Sequence, residues 1–177
     1  MLERHFSSEF RKELIDVLGN TAEVVLLQDA PKSGKKVYDA YMVWRGWHIS
    51  LEFKMANGAS LPYNAPTERQ KQCLKQTEQA GGYSFIVVRL ERLKQVLFIT
   101  VDTWEAIFEN GNVKNIKLDV LERMCISHHS YYCEDKTIFI DRNKWWLNNE
   151  GSKSTKWFFP LWLKHVDPSF KGFDYAL

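Results

Sequence analysis

The sequence predicts an α/β (α+β) domain in which a mixed central β-sheet is flanked by helices. Three observations predict it. Hydrophobic periodicity changes along the chain in the order helix, three strands, helix, two strands, helix. Two segments, YSFIVVRL at 83–90 and VLFITV at 96–101, are nearly continuous apolar runs, the pattern of strands covered on both faces. At 177 residues the chain suits one domain, and a chain of that size buries about 70% of its extended surface without staples.

Each element has a local reason. Phe6, Phe10, Leu14, Val17 and Leu18 recur at helical spacing, and Gly19-Asn20 closes that helix. EVVLLQ at 23–28 is a short strand. PKSGKK is a turn-rich loop, and it lacks the second glycine and the Lys-Ser or Lys-Thr of a nucleotide-binding P-loop. VYDAYMVWRGWHISLEFKMANG follows as two strands joined at Arg45-Gly46. NGASLPYNAP is irregular, and Pro66 occupies the first turn of a helix through TERQKQCLKQTEQA that Gly81-Gly82 ends. The two apolar strands are joined by the polar turn ERLK, after which Asp102 and Glu105 form a capping-box-like start to a helix ended by Gly111. Residues 116–124 form a short helix and KTIFID at 136–141 a strand. The expected organisation is a single domain over 1–177, with a core over 3–110 and an aromatic, basic extension over 112–177.

Composition narrows the class. Hydrophobic residues at 45%, with 14% aromatic, exclude general disorder, and no apolar run approaches the roughly 20 residues of a membrane span. MLERHFSSEF lacks the basic-then-apolar pattern of a secretory signal, and three cysteines cannot all pair internally. Both observations predict a cytoplasmic protein. A net charge of +2 and a pI near 8.4 do not by themselves indicate a nucleic-acid partner. Local clusters say more: Lys32, Lys35 and Lys36 precede the hairpin, and Arg69, Lys71 and Lys75 follow it on a helix. Both groups are candidates to contact DNA phosphates, against the alternative of solvated faces. Lysines also interleave with Trp145, Trp146, Trp157 and Trp162 near the C-terminus, where core packing or a subunit interface is the competing reading.

The hairpin carries the chemistry. With a two-residue loop, Trp44 faces Trp47, Met42 faces Ile49, and Asp39 falls opposite Glu52, whereas a three-residue loop with a bulge sends Asp39 to the other face. Opposed side chains start about 5 Å apart, where two ionised carboxylates repel by roughly 3 kcal/mol at an effective dielectric near 20. Strand period two puts Lys54 on the Glu52 face and turns Leu51, Phe53 and Met55 toward a core. The combination predicts a divalent-metal site with an adjacent ammonium, the competing reading being an ordinary Glu-X-Lys pair on a solvated strand. Magnesium suits Asp39 and Glu52 together with the main-chain carbonyl of Phe53, and manganese can substitute. Lys54 has three open roles: orienting a water, accepting its proton, or acting as a fixed positive charge. Cys125, His128, His129 and Cys133 lie within nine residues, but in one cluster rather than the two separated knuckles of structural zinc sites.

Tyr38-Asp39, then Glu52-Phe53-Lys54, then a helix bearing Gln70, then Gly81-Gly82 before YSFIVVRL, resembles the PD-(D/E)XK nuclease superfamily. Within it, the likeness over residues 3–101 is to Holliday-junction resolvases of the bacterial and archaeal kinds. Tyr38 stands where the family name has proline. The resemblance implies a restriction-endonuclease-like nuclease core and a metal-dependent endonuclease that hydrolyses DNA phosphodiesters at branched four-way junctions as a homodimer. It also implies a role for Gln70 at the metal-bound water or scissile phosphate, and an additional acid from the first helix, Glu13 or alternatively Glu9. Other DNA nucleases on the same core, or a DNA-binding module without turnover, are the alternatives.

Overall fold

A computed structural model of the protein describes residues 3–28, 37–111, 114–134, 137–147 and 163–169. It begins with helix α1 (Glu3–Leu18), whose apolar stripe Phe6, Phe10, Leu14 and Leu18 is buried. A 3-10 turn at Gly19–Thr21 leads to β1 (Ala22–Leu26), and β2 (Ala40–Trp44) and β3 (Trp47–Ala56) form the expected hairpin. Arg45 and Gly46 have φ of +52° and +83°. Two consecutive positive values define the tight turn whose twist matches the flanking strands. The register is the one the tryptophans predict, with Trp44 opposite Trp47 and Met42 opposite Ile49.

Next come β4 (Ser60–Pro62), α2 (Glu68–Gln79), β5 (Tyr83–Leu90), β6 (Gln95–Ile99) and α3 (Val101–Gly111). The described chain continues through β7 (Asn115–Lys117), α4 (Leu118–Met124), β8 (Ser127–Glu134), β9 (Thr137–Leu147) and the single turn α5 (Leu163–Val166). Seven strands form one sheet in the order β1-β2-β3-β5-β6-β8-β9, and β4 pairs with β7 separately. Within the large sheet β3 and β5 run parallel, joined by the α2 crossover, and the other neighbours are antiparallel. The mixed sheet flanked by helices is the expected fold class.

Several local expectations are corrected. Pro66 precedes the helix: Thr67 is the N-cap of α2, completed by Gln70 in a reciprocal capping box. The chain around 60 is not wholly irregular, because Ser60–Pro62 finds a strand partner more than fifty residues later. The start of α3 is capped by Thr100, whose Oγ1 accepts from Thr103 N at 3.2 Å, rather than by Asp102. Glu105 instead pairs with Lys75 and ties α3 to α2. Residues 116 and 117 lie in β7, so the short helix begins at Leu118.

The sheet separates two apolar layers. On one face α1 covers Ile49, Leu51, Phe53, Phe85, Val87 and Phe98, with Leu163 and Val166 of α5 added beside it. On the other, Leu74 of α2 and Trp104 of α3 cover Ile86, Val88, Leu97 and Ile99. Phe6 and Phe10 meet Phe53 edge-on at ring distances of 5.3 and 5.2 Å, which anchors α1 across the middle of β3. The turn between α2 and β5 is equally tight. A Cβ at Gly82 would lie 2.8 Å from His48 O and 2.9 Å from Thr77 Cγ2. Gly82→Ala is therefore expected to lower stability by about 1–3 kcal/mol, the usual effect of overpacking, as measured by urea unfolding.

Candidate active site

β3 builds the site by alternation. Leu51 and Phe53 enter the α1 layer, so Ser50, Glu52 and Lys54 face α2. Asp39 lies one step beyond the last β2–β3 ladder pair, Ala40 with Leu51, and its N–H donates to Leu51 O at 3.1 Å. That carries Asp39 to the Glu52 position, as the two-residue loop requires. Its side chain is fixed by the strand it faces: Phe53 N donates to Asp39 Oδ2 at 2.7 Å.

Glu52 is fully buried, and its two oxygens are treated unequally. Oε1 accepts from Lys54 Nζ and from Gln70 Nε2, each at 2.5 Å, while Oε2 is buried with no hydrogen-bond partner among the described residues. Gln70 reaches it because its own oxygen is occupied at the cap, where Thr67 N donates to Gln70 Oε1 at 2.8 Å. One amide thus joins the start of α2 to the central carboxylate.

Burial raises the Glu52 carboxyl from 4.5 to about 7, outweighing the opposing effect of the Lys54 ammonium, and the charge of Asp39 adds to the rise. For Lys54 burial acts to lower the pKa, but the combined pull of Glu52, Glu3 and Asp39 raises it above its ordinary value. The ammonium is the stable form of Lys54. Of the three roles open in the sequence, the fixed positive charge and the hydrogen-bond donor agree with this state, whereas a proton acceptor requires the neutral amine.

Glu13 is buried on α1 and Glu9 is half-buried. Also on α1, Glu3 lies 3.6 Å from Lys54 Nζ, and its charge also acts on Glu52. Sequence reading missed Glu3, although it precedes Phe6 and Phe10 at helical spacing and so extends their stripe over β3. Among the described residues, no group of three or more His, Cys, Asp or Glu side chains is arranged to hold a metal. The oxygen set at hand is the pair Asp39 and Glu52 with neighbouring main chain. A hard cation held by two carboxylates and otherwise by water or substrate fits such a set, and the unpartnered Glu52 Oε2 offers it a position.

Arg69 is exposed on α2. Lys71 is buried, with Nζ 2.6 Å from Glu68, 3.3 Å from Tyr63 Oη and 4.6 Å from the Tyr63 ring centre. Lys75 is half-buried against Glu105. Lys32, Lys35 and Lys36 lie outside the described residues, as do Trp157 and Trp162. Cys125 is buried, its Sγ donates to Glu122 O, and burial pushes the thiol up to about 12. His128, His129 and Cys133 lie on β8, whose side chains are outside the described set.

A mixed sheet that sets Asp39 beside Glu52-X-Lys54, with a glutamine from the crossover helix, defines a nuclease core of the PD-(D/E)XK class. The sequence model of the recombination protein U family, RecU, matches residues 18–138, which contain Asp39, Glu52, Lys54 and Gln70. The chain belongs to this family of Holliday-junction resolvases, nucleases that bind branched DNA and hydrolyse it. No curated protein matches the chain significantly. Among solved structures, the chain is similar to Hjc from Archaeoglobus fulgidus, a Holliday junction resolvase from an archaeal hyperthermophile, with 15% identity, a TM-score of 0.46, and coverage of 65% of this chain and 90% of that one. Among the described residues, no helix is long and apolar enough to cross a membrane.

Proposed function

We propose that this chain is a magnesium-dependent Holliday-junction resolvase, active as a cytoplasmic homodimer of single-domain subunits, with manganese able to replace magnesium. Asp39 and Glu52, with the carbonyl of Phe53, hold the ion. The observation that carries this reading is the buried Glu52 Oε2, left without a partner among the described residues while Oε1 is held twice. Resolvase nucleases of this kind use divalent metal ions. When bound, the ion supplies a better water nucleophile and offsets charge on the phosphorane.

The chain's own groups do the rest. Gln70 holds Glu52 in one rotamer through its 2.5 Å contact, and Phe53 N–H fixes Asp39. Lys54 keeps its proton and stands as a fixed positive charge where negative charge grows on the phosphate oxygens. Glu13 or Glu9 remains the proposed contributor from α1, with Glu3 now beside them because of its approach to Lys54. Arg69, the Lys32, Lys35 and Lys36 loop, and the less exposed Lys71 and Lys75 are proposed to hold the DNA backbone. Two equivalent sites related by a two-fold axis match the symmetry of a four-way junction and make paired cuts.

Incubation with a four-way junction, a linear duplex and a single strand, each with and without magnesium, tests the reading. Matched nicks near the crossover that require magnesium are expected. Degradation of linear duplex, or retention of the junction without cutting, would refute it.

A further inference from the structure

Glu52 is not the last polar group on its face of β3. Two residues back, Ser50 is fully buried, and two further back stands His48, half-buried. Ser50 Oγ lies 2.9 Å from Thr77 Oγ1 and 3.3 Å from His48 Nε2, and Thr77 in turn donates to Cys73 O. The ring of His48 stacks on Tyr41 at 5.4 Å and 22°. With the Thr77 hydroxyl donating to Cys73 O, Ser50 donates to Thr77 and accepts from His48 Nε2–H, which holds the imidazole in place; Nδ1, without a partner among the described residues, can then donate to a ligand oxygen only as part of the imidazolium.

The imidazole faces a cleft of about 400 Å³ between α2 and the β2–β3 hairpin, also lined by Tyr38, Gln76 and Thr77. Tyr38, at one side of the cleft, is the chain neighbour of Asp39. The far end of the cleft is closed by Gly82, where the main chains of β3 and α2 leave no room for a side chain. Glu78, the next acid along α2, turns its carboxylate to Ser84 Oγ at 2.6 Å. The lining thus combines a phenol, an amide, a hydroxyl and an imidazole with apolar surface, and includes no carboxylate.

Resting on the resolvase reading above, we infer that this cleft is a second phosphate subsite, in which His48, held by Ser50 and Thr77, contacts the DNA backbone on one side of the scissile phosphate. His48 and Glu52 are four positions apart on β3, about 13 Å of strand. At roughly 3.4 Å of axial rise per nucleotide, that distance is at most about four nucleotides, and fewer where the strand leaves the helical path. The subsite therefore reads a phosphate two to four nucleotides from the cut. It fixes the register of the strand without reading sequence.

The experiment maps the cut in a four-way junction, then places one uncharged methylphosphonate at each position from one to five nucleotides on either side. Binding is followed by fluorescence anisotropy in chelator with the full chain. His48→Ala is expected to weaken binding to the unmodified junction five- to twentyfold. One methylphosphonate, two to four nucleotides from the cut, should weaken the wild type to a similar degree and cause no further loss in His48→Ala. Thr77→Val, which removes the hydroxyl behind Ser50, should show a smaller loss at the same position. The inference is overturned if the variant and the modification add at every position, or if both variants bind as the wild type does. A wild type that binds and cuts but shows no such position sinks the subsite alone. A wild type that neither binds nor cuts the junction sinks the resolvase reading with it.

Discussion

Asp39→Asn is expected to abolish junction cutting while junction affinity stays within about twofold of the wild type. The change keeps the shape of the side chain and removes its charge. Phe53 N–H still finds an acceptor, because the amide oxygen can take the place of Oδ2. What is lost is half of the charge that would hold the cation, and with it the stabilisation of the phosphorane. Losing a single donor to a developing oxyanion typically slows a reaction 10²- to 10³-fold. Losing a metal ligand should exceed that, so a fall of more than about 10³, or about 4 kcal/mol, is expected in single-turnover cleavage at saturating magnesium. Binding should survive because backbone contacts, not the carboxylate pair, supply most of the affinity for DNA. A variant that cuts at a tenth of the wild-type rate would remove Asp39 from the ligand set.

The placement of Asp39 was legible for a specific reason. With a two-residue loop the facing tryptophans mark the register and every pair beyond them follows by counting; the positive φ at Arg45 and Gly46 is what excludes the three-residue loop that the sequence left open. α1 was equally readable from its 3.6 period and β5 and β6 from their continuous apolar runs, whereas β8 was not expected. Other features had no local signal. The β4–β7 ladder pairs two three-residue segments far apart in sequence, too short to show a period. Lys71 reads as a surface cation on a polar helix, yet its ammonium lies over the Tyr63 ring, a contact set by the loop before α2. Glu3 was passed over because the apolar stripe was read from Phe6 onward, although it is the packing of Phe6 and Phe10 on Phe53 that brings the start of α1 to Lys54. The His48, Ser50 and Thr77 set combines two elements, and only the fold shows that they meet.

The raised carboxyl of Glu52 gives the second large effect, on stability and metal binding together. A carboxylate whose folded pKa lies near 7 against an unfolded value of 4.5 binds its proton more tightly when folded. Stability from this group is complete below pH 4.5, declines as pH rises toward 7, and stays at its lower level above. The difference is about 3 kcal/mol, which in a protein of this size corresponds to roughly 6–12 °C in melting temperature. Metal-free protein is therefore expected to melt lower at pH 8 than at pH 5, and Glu52→Gln, which cannot ionise, should lose most of that difference. Magnesium competes with the same proton, so its affinity should rise about tenfold per pH unit below 7 and level off above, with little stabilisation at pH 5 and clear stabilisation at pH 8. Lys54 contributes no limb to this profile because it remains an ammonium throughout. Lys54→Met should accordingly lower single-turnover cleavage by 10²- to 10³-fold at every pH from 6 to 9, the loss of a fixed charge at the phosphate. Scanning calorimetry against pH with and without magnesium, together with cleavage profiles for both variants, decides the matter. If wild type and Glu52→Gln lose equal stability between pH 5 and 8, the titrating group lies elsewhere. If the Lys54→Met deficit vanishes at low pH, Lys54 acts as a base after all.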